Sequence, residues 1–499
     1  MSDQQSRSSE PSNPLRGISD IRRFFQRNET PVYFVSATNF NLLGADEWVR
    51  NFKFINYIDS FDGRHQNVLV PVETPHEAFD SIEDIDNYLL EHKEVADYVK
   101  SRGPGKAMFL MFDEKTEELA NELGLEVCFP PARLREYLDD KVVTTRIAEE
   151  AGVACVPNVL APVDSYETLR KVSEGLGQDL VVQTRFGDSG HTTFMISRED
   201  DWNRHAEEIS REPEVKVMKR INPRGTAVEA CVTRHGTVVA PIMTELVGFE
   251  ELTPYEGGWC GNEIFADPFS KAVRDRAREG TYAMGERLEQ EGYRGYFELD
   301  FLVDQDTGEL YLGEMNPRIT GASSITNHAA FAQGDMPLFM FHLLEWMDVD
   351  YELDVEDINQ RWALPENIDT WSQLVVKHTA DTLEVVTKAP PTGIWRMNDR
   401  GEVSFSHYDV HRYTLESEME AMFIRISGIG EYWYEGADLG ILVTRGRLMT
   451  DDFQLNERAG AWIRGIKSHF ETVEPSRSDA PLASGTLKSD PAPSAFKIL

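Results

Sequence analysis

The sequence predicts a multidomain protein of mixed class, α/β at its N-terminus and α+β beyond, on three observations. Its 499 residues exceed one ordinary core and suggest two to four domains. Strand and helix patterns alternate over residues 29–135, as in a parallel α/β unit. From 296 to 318, YFELDFLVDQDTGELYLGEMNPR alternates with period two on both sides of a short turn and reads as a hairpin.

The elements follow in order. Residues 1–28 are rich in Ser, Gln, Arg and Pro, and the tail 475–499 is similar, so both are expected to be disordered. PVYFVSATN, NVLVPVE and KAMFLMFD are strands, and EKTEELANELG is a helix ended by Gly124. A helix starts near Asp139 in LDDKVVTTRIAEEAG and closes at Gly152. DLVVQTRFGDSGHTTFMI is strand, glycine loop, strand; EVKVMKRI and AVEACVTRHGTVVAPIM add further strands. The helix DPFSKAVRDRAREGTYAMGERLEQEG leads into the hairpin, and the apolar helix GDMPLFMFHLLEWM should dock on the same domain. Domain limits are set at 29–135, 136–345 (lobes about 136–218 and 219–345) and 346–474, the last an appended α+β domain.

Composition narrows the function. Asp plus Glu number 86 against 50 Lys plus Arg, a formal charge of −36. That surplus argues against non-specific binding to nucleic acid or anionic membranes. A phosphate ligand must therefore be held by local Arg, Lys, backbone N–H groups or metal. The longest apolar runs, such as AMFLMF, fall far short of a membrane span, and the N-terminus has no apolar signal core. Cys128, Cys155, Cys231 and Cys260 form no CxxC pair and fit reduced thiols in a cytoplasmic protein.

The hairpin carries the chemistry. With Thr307 at the centre of the turn, Asp300 lies opposite Glu314 and Glu298 opposite Asn316, all on one face. Phe297, Leu299, Phe301, Val303, Tyr311 and Met315 take the other. Like charges directly opposite each other destabilise a sheet, and a divalent cation with oxygen ligands would offset that. In so acidic a chain a solvated face is the alternative, but the in-register pairing and the following Asn-Pro-Arg favour metal. Glu298 fits a ligand and a structural role equally. Arg318 can hold a transferring phosphoryl group by paired hydrogen bonds, or form a salt bridge to these carboxylates, or both.

With DK before a helix, strand–Gly loop–strand, and D-F-L-V-D…L-G-E-M-N-P-R, residues 30–345 resemble the ATP-grasp superfamily. That resemblance implies an ATP-grasp fold, a Rossmann-like N-terminal domain preceding it, and ATP with two Mg2+ (or Mn2+) as cofactors. It also implies an ADP-forming ligase that makes an acyl phosphate from a small carboxylate and passes the acyl group to an amine. Asp300, Glu314 and Asn316 then hold metal, and Arg318 is catalytic. Lys141 reaches the phosphates, and the loop FGDSGHTT closes over them through Gly187, Ser189, Gly190, Thr192 and Thr193. Lys219 and Ile221 line the adenine, and Glu229 lies near the ribose. Gln183 stands where the family carries a phosphate-binding lysine, with Arg185, two residues on, as its substitute. GGWCGNE, 257–263, is an acceptor loop or scaffolding, and Cys260 has no evident histidine partner. A biotin carboxylase is the first rival, although GDSGH and ITGASSITN depart from that pattern. A nucleotide-binding module without catalysis is the second, kept open by Gln183. A homodimer is the default assembly.

Overall fold

The computed structural model describes residues 14–187, 192–266 and 268–475. Residues 14–28, expected to be disordered, are structured in it. Strand β1 (Leu15–Arg16) leads into helix α1 (Gly17–Gln26), which buries Ile21 and Phe25. A polar composition concealed this apolar stripe of helical spacing. Residues 1–13 and 476–499 lie outside the described residues.

The N-terminal unit is a parallel sheet. It is built from β2 (Val32–Ser36), β3 (Phe52–Asn56), β4 (Val68–Leu69), β5 (Gly105–Phe109) and β6 (Leu125–Val127), in the order β4-β3-β2-β5-β6. β2, β5 and most of β3 are buried on both faces, which explains their unbroken apolar runs. Helix α2 (Glu114–Glu122) starts at an Asp113–Thr116 capping box, and Gly124 just beyond it has φ +74°.

The next unit begins with α3 (Lys141–Glu150), whose N-cap, Asp140, accepts from the Val142 and Val143 amides. A small sheet follows, ordered β7-β10-β8-β9 from β7 (Asn158–Ala161), β8 (Leu180–Gln183), β9 (Thr193–Ile196) and β10 (Val215–Lys219). The large antiparallel sheet opens with β11 (Pro223–Thr233), β12 (Gly236–Val239), β13 (Met243–Val247) and β14 (Trp259–Ile264). Helix α4 (Lys271–Gln290) returns the chain to β15 (Gly295–Asp304) and β16 (Leu310–Asn316). Helix α5 (Leu338–Leu344) is buried along its whole length, with Phe339 meeting Phe52 of the N-terminal sheet at 6.4 Å. β17 (Tyr351–Glu352) pairs in parallel with β1.

The expected boundary at 345/346 does not divide the large sheet. β18 (Trp371–Lys377) pairs with β14, and β24 (Asp438–Arg445) pairs with β18. β22 (Glu420–Arg425), β20 (Gly393–Met397) and β21 (Val403–His407) then extend the same sheet. β19 (Glu384–Lys388), β23 (Tyr432–Trp433) and β25 (Glu471–Val473) form a separate three-stranded sheet. The C-terminal segment is thus the far half of the sheet that carries the hairpin. Among the described residues, no helix is long and apolar enough to cross a membrane.

Candidate active site

β15 and β16 pair Glu298 with Asn316 and Asp300 with Glu314, as the alternation predicts, though by another route. Nearer the turn the register is one residue shorter, Phe301 facing Leu312 and Val303 facing Leu310. A bulge at Gly313 absorbs the difference. Leu310 and Leu312, not Tyr311, therefore join Phe297, Leu299, Phe301 and Met315 in the core beneath. A bulge re-aims side chains, and this one turns Glu314 onto the acidic face.

Asp300 Oδ1 is buried without a hydrogen-bond partner. Asn316 Nδ2 donates to Asp300 Oδ2 at 3.0 Å and to Glu298 Oε2 at 3.3 Å. Burial pushes the Asp300 and Glu298 carboxyls well above the usual range, and neighbouring carboxylates push them further. A cation would relieve both the orphaned oxygen and the mutual repulsion, so Asp300, Glu298 and Glu314 fit hard-cation binding. Asn316 is turned the other way. Its Oδ1 accepts from Arg318 Nη2 at 2.8 Å, so ligation through that oxygen requires the amide to rotate. Arg318 Nε has no partner.

Lys141, the first residue of α3, reaches Glu314 Oε1 at 3.0 Å and the Gly187 carbonyl at 2.6 Å. Gly187 has φ +137°, and a Cβ there would overlap Thr192, so the loop entrance requires glycine. Ser189 and Gly190 lie outside the described residues.

Arg185, the expected substitute for the missing lysine, is paired with Asp140. Its Nε donates to Asp140 Oδ2 at 2.6 Å, and it stays bound to the N-cap of α3. The lysine that stands across from Gln183 is Lys216, which the sequence reading passed over. It is the direct cross-strand partner of Gln183, so the two side chains share a face of the small sheet. The Lys216 amine is buried and lies 3.4 Å from the Gly313 carbonyl. Burial lowers its pKa, the Lys141 charge lowers it further, and Cys155 and Glu314 oppose both. A lysine inside the apolar strand VKVMK was the available signal.

Glu229, expected beside a ribose, is fully buried; Tyr296, Ser323 and Thr320 donate to its two oxygens at 2.8, 2.5 and 3.2 Å. It anchors the loop after Arg318. Residues 259–264 of the expected acceptor loop are β14, in the middle of the sheet. Cys260 is buried there, its thiol pushed up to about 12 by burial, which removes it as a nucleophile. Lys219 ends β10 exposed, with Ile221 half-buried beyond it.

The acidic face continues across the sheet. Glu245 on β13 pairs with Asn262 on β14, and Asn262 with Gln373 on β18. Burial, then the Glu314 charge, raise Glu245 to about 7, and Glu245 in turn raises Asp300 and Glu298. Asn262 Nδ2 and Gln373 Oε1 are buried without partners, while Gln373 Nε2 donates to the Gly321 carbonyl at 2.8 Å. The acidic face thus holds four carboxylates and unused amide groups, with Lys141, Lys216 and Arg318 beside them.

No protein-family model matches the chain. Pyruvate carboxylase of Aspergillus niger is 24% identical over 267 residues, covering 51% of this chain and 21% of that protein. The propionyl-CoA carboxylase alpha chain of Ruegeria pomeroyi is 22% identical over 228 residues, covering 44% of this chain and 32% of its own length. The chain therefore spans less than a third of these relatives. Among solved structures, carboxyaminoimidazole ribonucleotide synthase from Aspergillus clavatus, complexed with ATP, aligns with TM-score 0.54 at 12% identity. The alignment covers 88% of this chain and 99% of that one. The biotin carboxylase domain of Hydrogenobacter thermophilus 2-oxoglutarate carboxylase aligns with TM-score 0.57 at 12% identity, covering 89% and 90%. At such identity the likeness establishes the fold, which is the ATP-grasp fold expected from the residues.

Proposed function

We propose that this chain is an ATP-dependent, ADP-forming ligase that activates a small carboxylate as an acyl phosphate and transfers the acyl group to an amine. The observation that carries the reading is the direct pairing of Asp300 with Glu314, an oxygen of Asp300 unpartnered, beside Lys141 and Arg318. Magnesium held by Asp300, Glu314 and Glu298, with Asn316 after rotation of its amide, would neutralise charge on the phosphates. Lys141 and Lys216 supply the fixed positive charge, and Lys141 exchanges Glu314 for a phosphate oxygen when ATP enters. Lys219 and Ile221 line the base at the end of β10. Arg318, with Nε free, holds the γ-phosphoryl oxygens while the substrate carboxylate attacks phosphorus and ADP leaves. The amine then attacks the acyl carbon, phosphate departs and the amine loses a proton. Asn262 and Gln373, with a donor and an acceptor unspent, are placed to orient a polar acceptor.

A biotin carboxylase activity is the second reading, favoured by the names of the curated relatives. Against it, the residues after Arg318 are Ile-Thr-Gly-Ala, and Thr320 is engaged by Glu229. Against the non-catalytic module, Lys216 brings an amine to the face of Gln183. A two-fold dimer is part of the proposal. ADP release with Mg-ATP should depend on a carboxylate and an amine supplied together from a panel. Release driven by bicarbonate and biotin alone would transfer the assignment to the second reading. ATP binding without turnover on any pair would reject both.

A further inference from the structure

A second constellation lies where the N-terminal sheet meets the C-terminal segment. Asp46 comes from the short helix 45–48, His65 from the turn before β4, and His411 from the loop after β21. One ligand atom from each lies within 4.8 Å of the others. Asp46 Oδ1, His65 Nε2 and His411 Nδ1 are all buried without hydrogen-bond partners, and His65 is only 4% exposed. Buried polar atoms without partners are rare in folded proteins, and here each of the three clustered residues has one.

From this convergence we propose that Asp46, His65 and His411 bind one divalent transition-metal cation of the zinc class, which joins the N-terminal unit to the C-terminal segment. Two imidazoles and a carboxylate with a fourth position open is a known zinc donor set. Neighbouring side chains hold Asp46 and His411 in place, as outer groups do around metal ligands. His411 Nε2 pairs with Glu47 Oε1 at 3.1 Å, which leaves Nδ1, buried and unpartnered, available to a metal. Asn67 Nδ2 donates to Asp46 Oδ2 at 2.7 Å and leaves Oδ1 free. Asp409 Oδ1 accepts from the His411 amide at 3.0 Å and fixes the loop. His65 is buried beside them. Its Nδ1 accepts from the Asn67 amide at 3.2 Å, so the metal-free ring carries its proton on Nε2. When the cation binds, that proton passes to Nδ1, so Nε2 ligates as a neutral imidazole and the Asn67 contact is given up. A cavity of about 270 Å³, lined also by Arg64, Gln66 and Tyr408, leaves room for the fourth ligand.

The site is separate from the acidic face of the hairpin, and the two are tested apart. The full-length chain, stripped with chelator, should bind one equivalent of Zn2+ in titration calorimetry. Co2+ should give the visible bands of a histidine-ligated, four-coordinate ion. Asp46→Asn and His411→Ala should each weaken Zn2+ binding more than ~100-fold, and Glu47→Gln by ~10- to 100-fold. Asp300→Asn should retain the equivalent. Zn2+ binding unchanged in the Asp46 and His411 variants, or lost in Asp300→Asn, overturns the proposal. Should the substitutions prevent folding, the Co2+ spectrum of the unaltered chain decides: no histidine-ligated bands overturns it.

Discussion

Asp300 brings the cost and the use of this site together in one side chain. With its Oδ1 unpartnered and its carboxyl surrounded by Glu298, Glu245 and Glu314, it weakens the metal-free fold. Asp300→Asn removes the repulsion and should raise metal-free stability by about 1–2 kcal/mol in thermal unfolding. The same change should lower ADP formation by roughly 10²–10³-fold. A variant both less stable and fully active would contradict the assignment. Lys216 makes a second prediction. Lys216→Gln should weaken ATP binding roughly 10- to 100-fold, the worth of a charge-assisted hydrogen bond. Adding Gln183→Lys, which exchanges the two facing residues, should recover most of it. An exchange variant no better than Lys216→Gln would reject the role.

Between single residues and the whole chain stands the hairpin of β15 and β16, whose register carries the chemistry. Its outer part runs one residue shorter than its inner part, and Gly313 takes up the slack. Deleting Gly313 would join the two registers into one regular ladder and leave Glu314 opposite Asp300 and Asn316 opposite Glu298. The expected outcome is a soluble variant that keeps Mg-ATP binding, seen by calorimetry. Loss of ATP binding in a soluble deletion variant would show that the bulge does more than set which residues face each other. The alternation of Glu298 and Asp300 was legible because β15 itself is regular. The bulge was not, because a glycine in a strand marks equally well a bend, a close approach or nothing.

Across the whole molecule, α5 is buried between the N-terminal sheet and the large sheet, and His342 ties it to β15. His342 Nδ1 accepts from the Tyr296 amide at 2.9 Å, and burial lowers the ring to about 3 from 6.5. Between those values the unfolded chain binds a proton that the folded chain does not. Stability therefore rises with pH across this window and is lost as pH falls through it. His342→Gln keeps an acceptor for Tyr296 and should flatten the acid limb of a stability–pH profile by close to one proton between pH 6.5 and 3. An unchanged slope would show that the ring is already protonated in the fold. At this scale the large sheet also runs on from the hairpin into the segment expected as a C-terminal domain. β14 and β18 are about a hundred residues apart in the chain, and nothing local marks them as neighbours in one sheet.

By itself the sequence determined the period-two faces, the helix stops at Gly124 and Gly152, and the pairing of Asp300 with Glu314. All of these follow from local geometry that a short stretch imposes on itself. Only the tertiary structure decided that Lys216 faces Gln183, that Arg185 pairs with Asp140, and that Glu229 is buried among three hydroxyl donors. It alone brought Glu245, Asn262 and Gln373 into line, and Asp46 and His65 to His411. Those relations depend on which strands and loops become neighbours. That choice is made by burial of the whole apolar surface, which no single segment encodes.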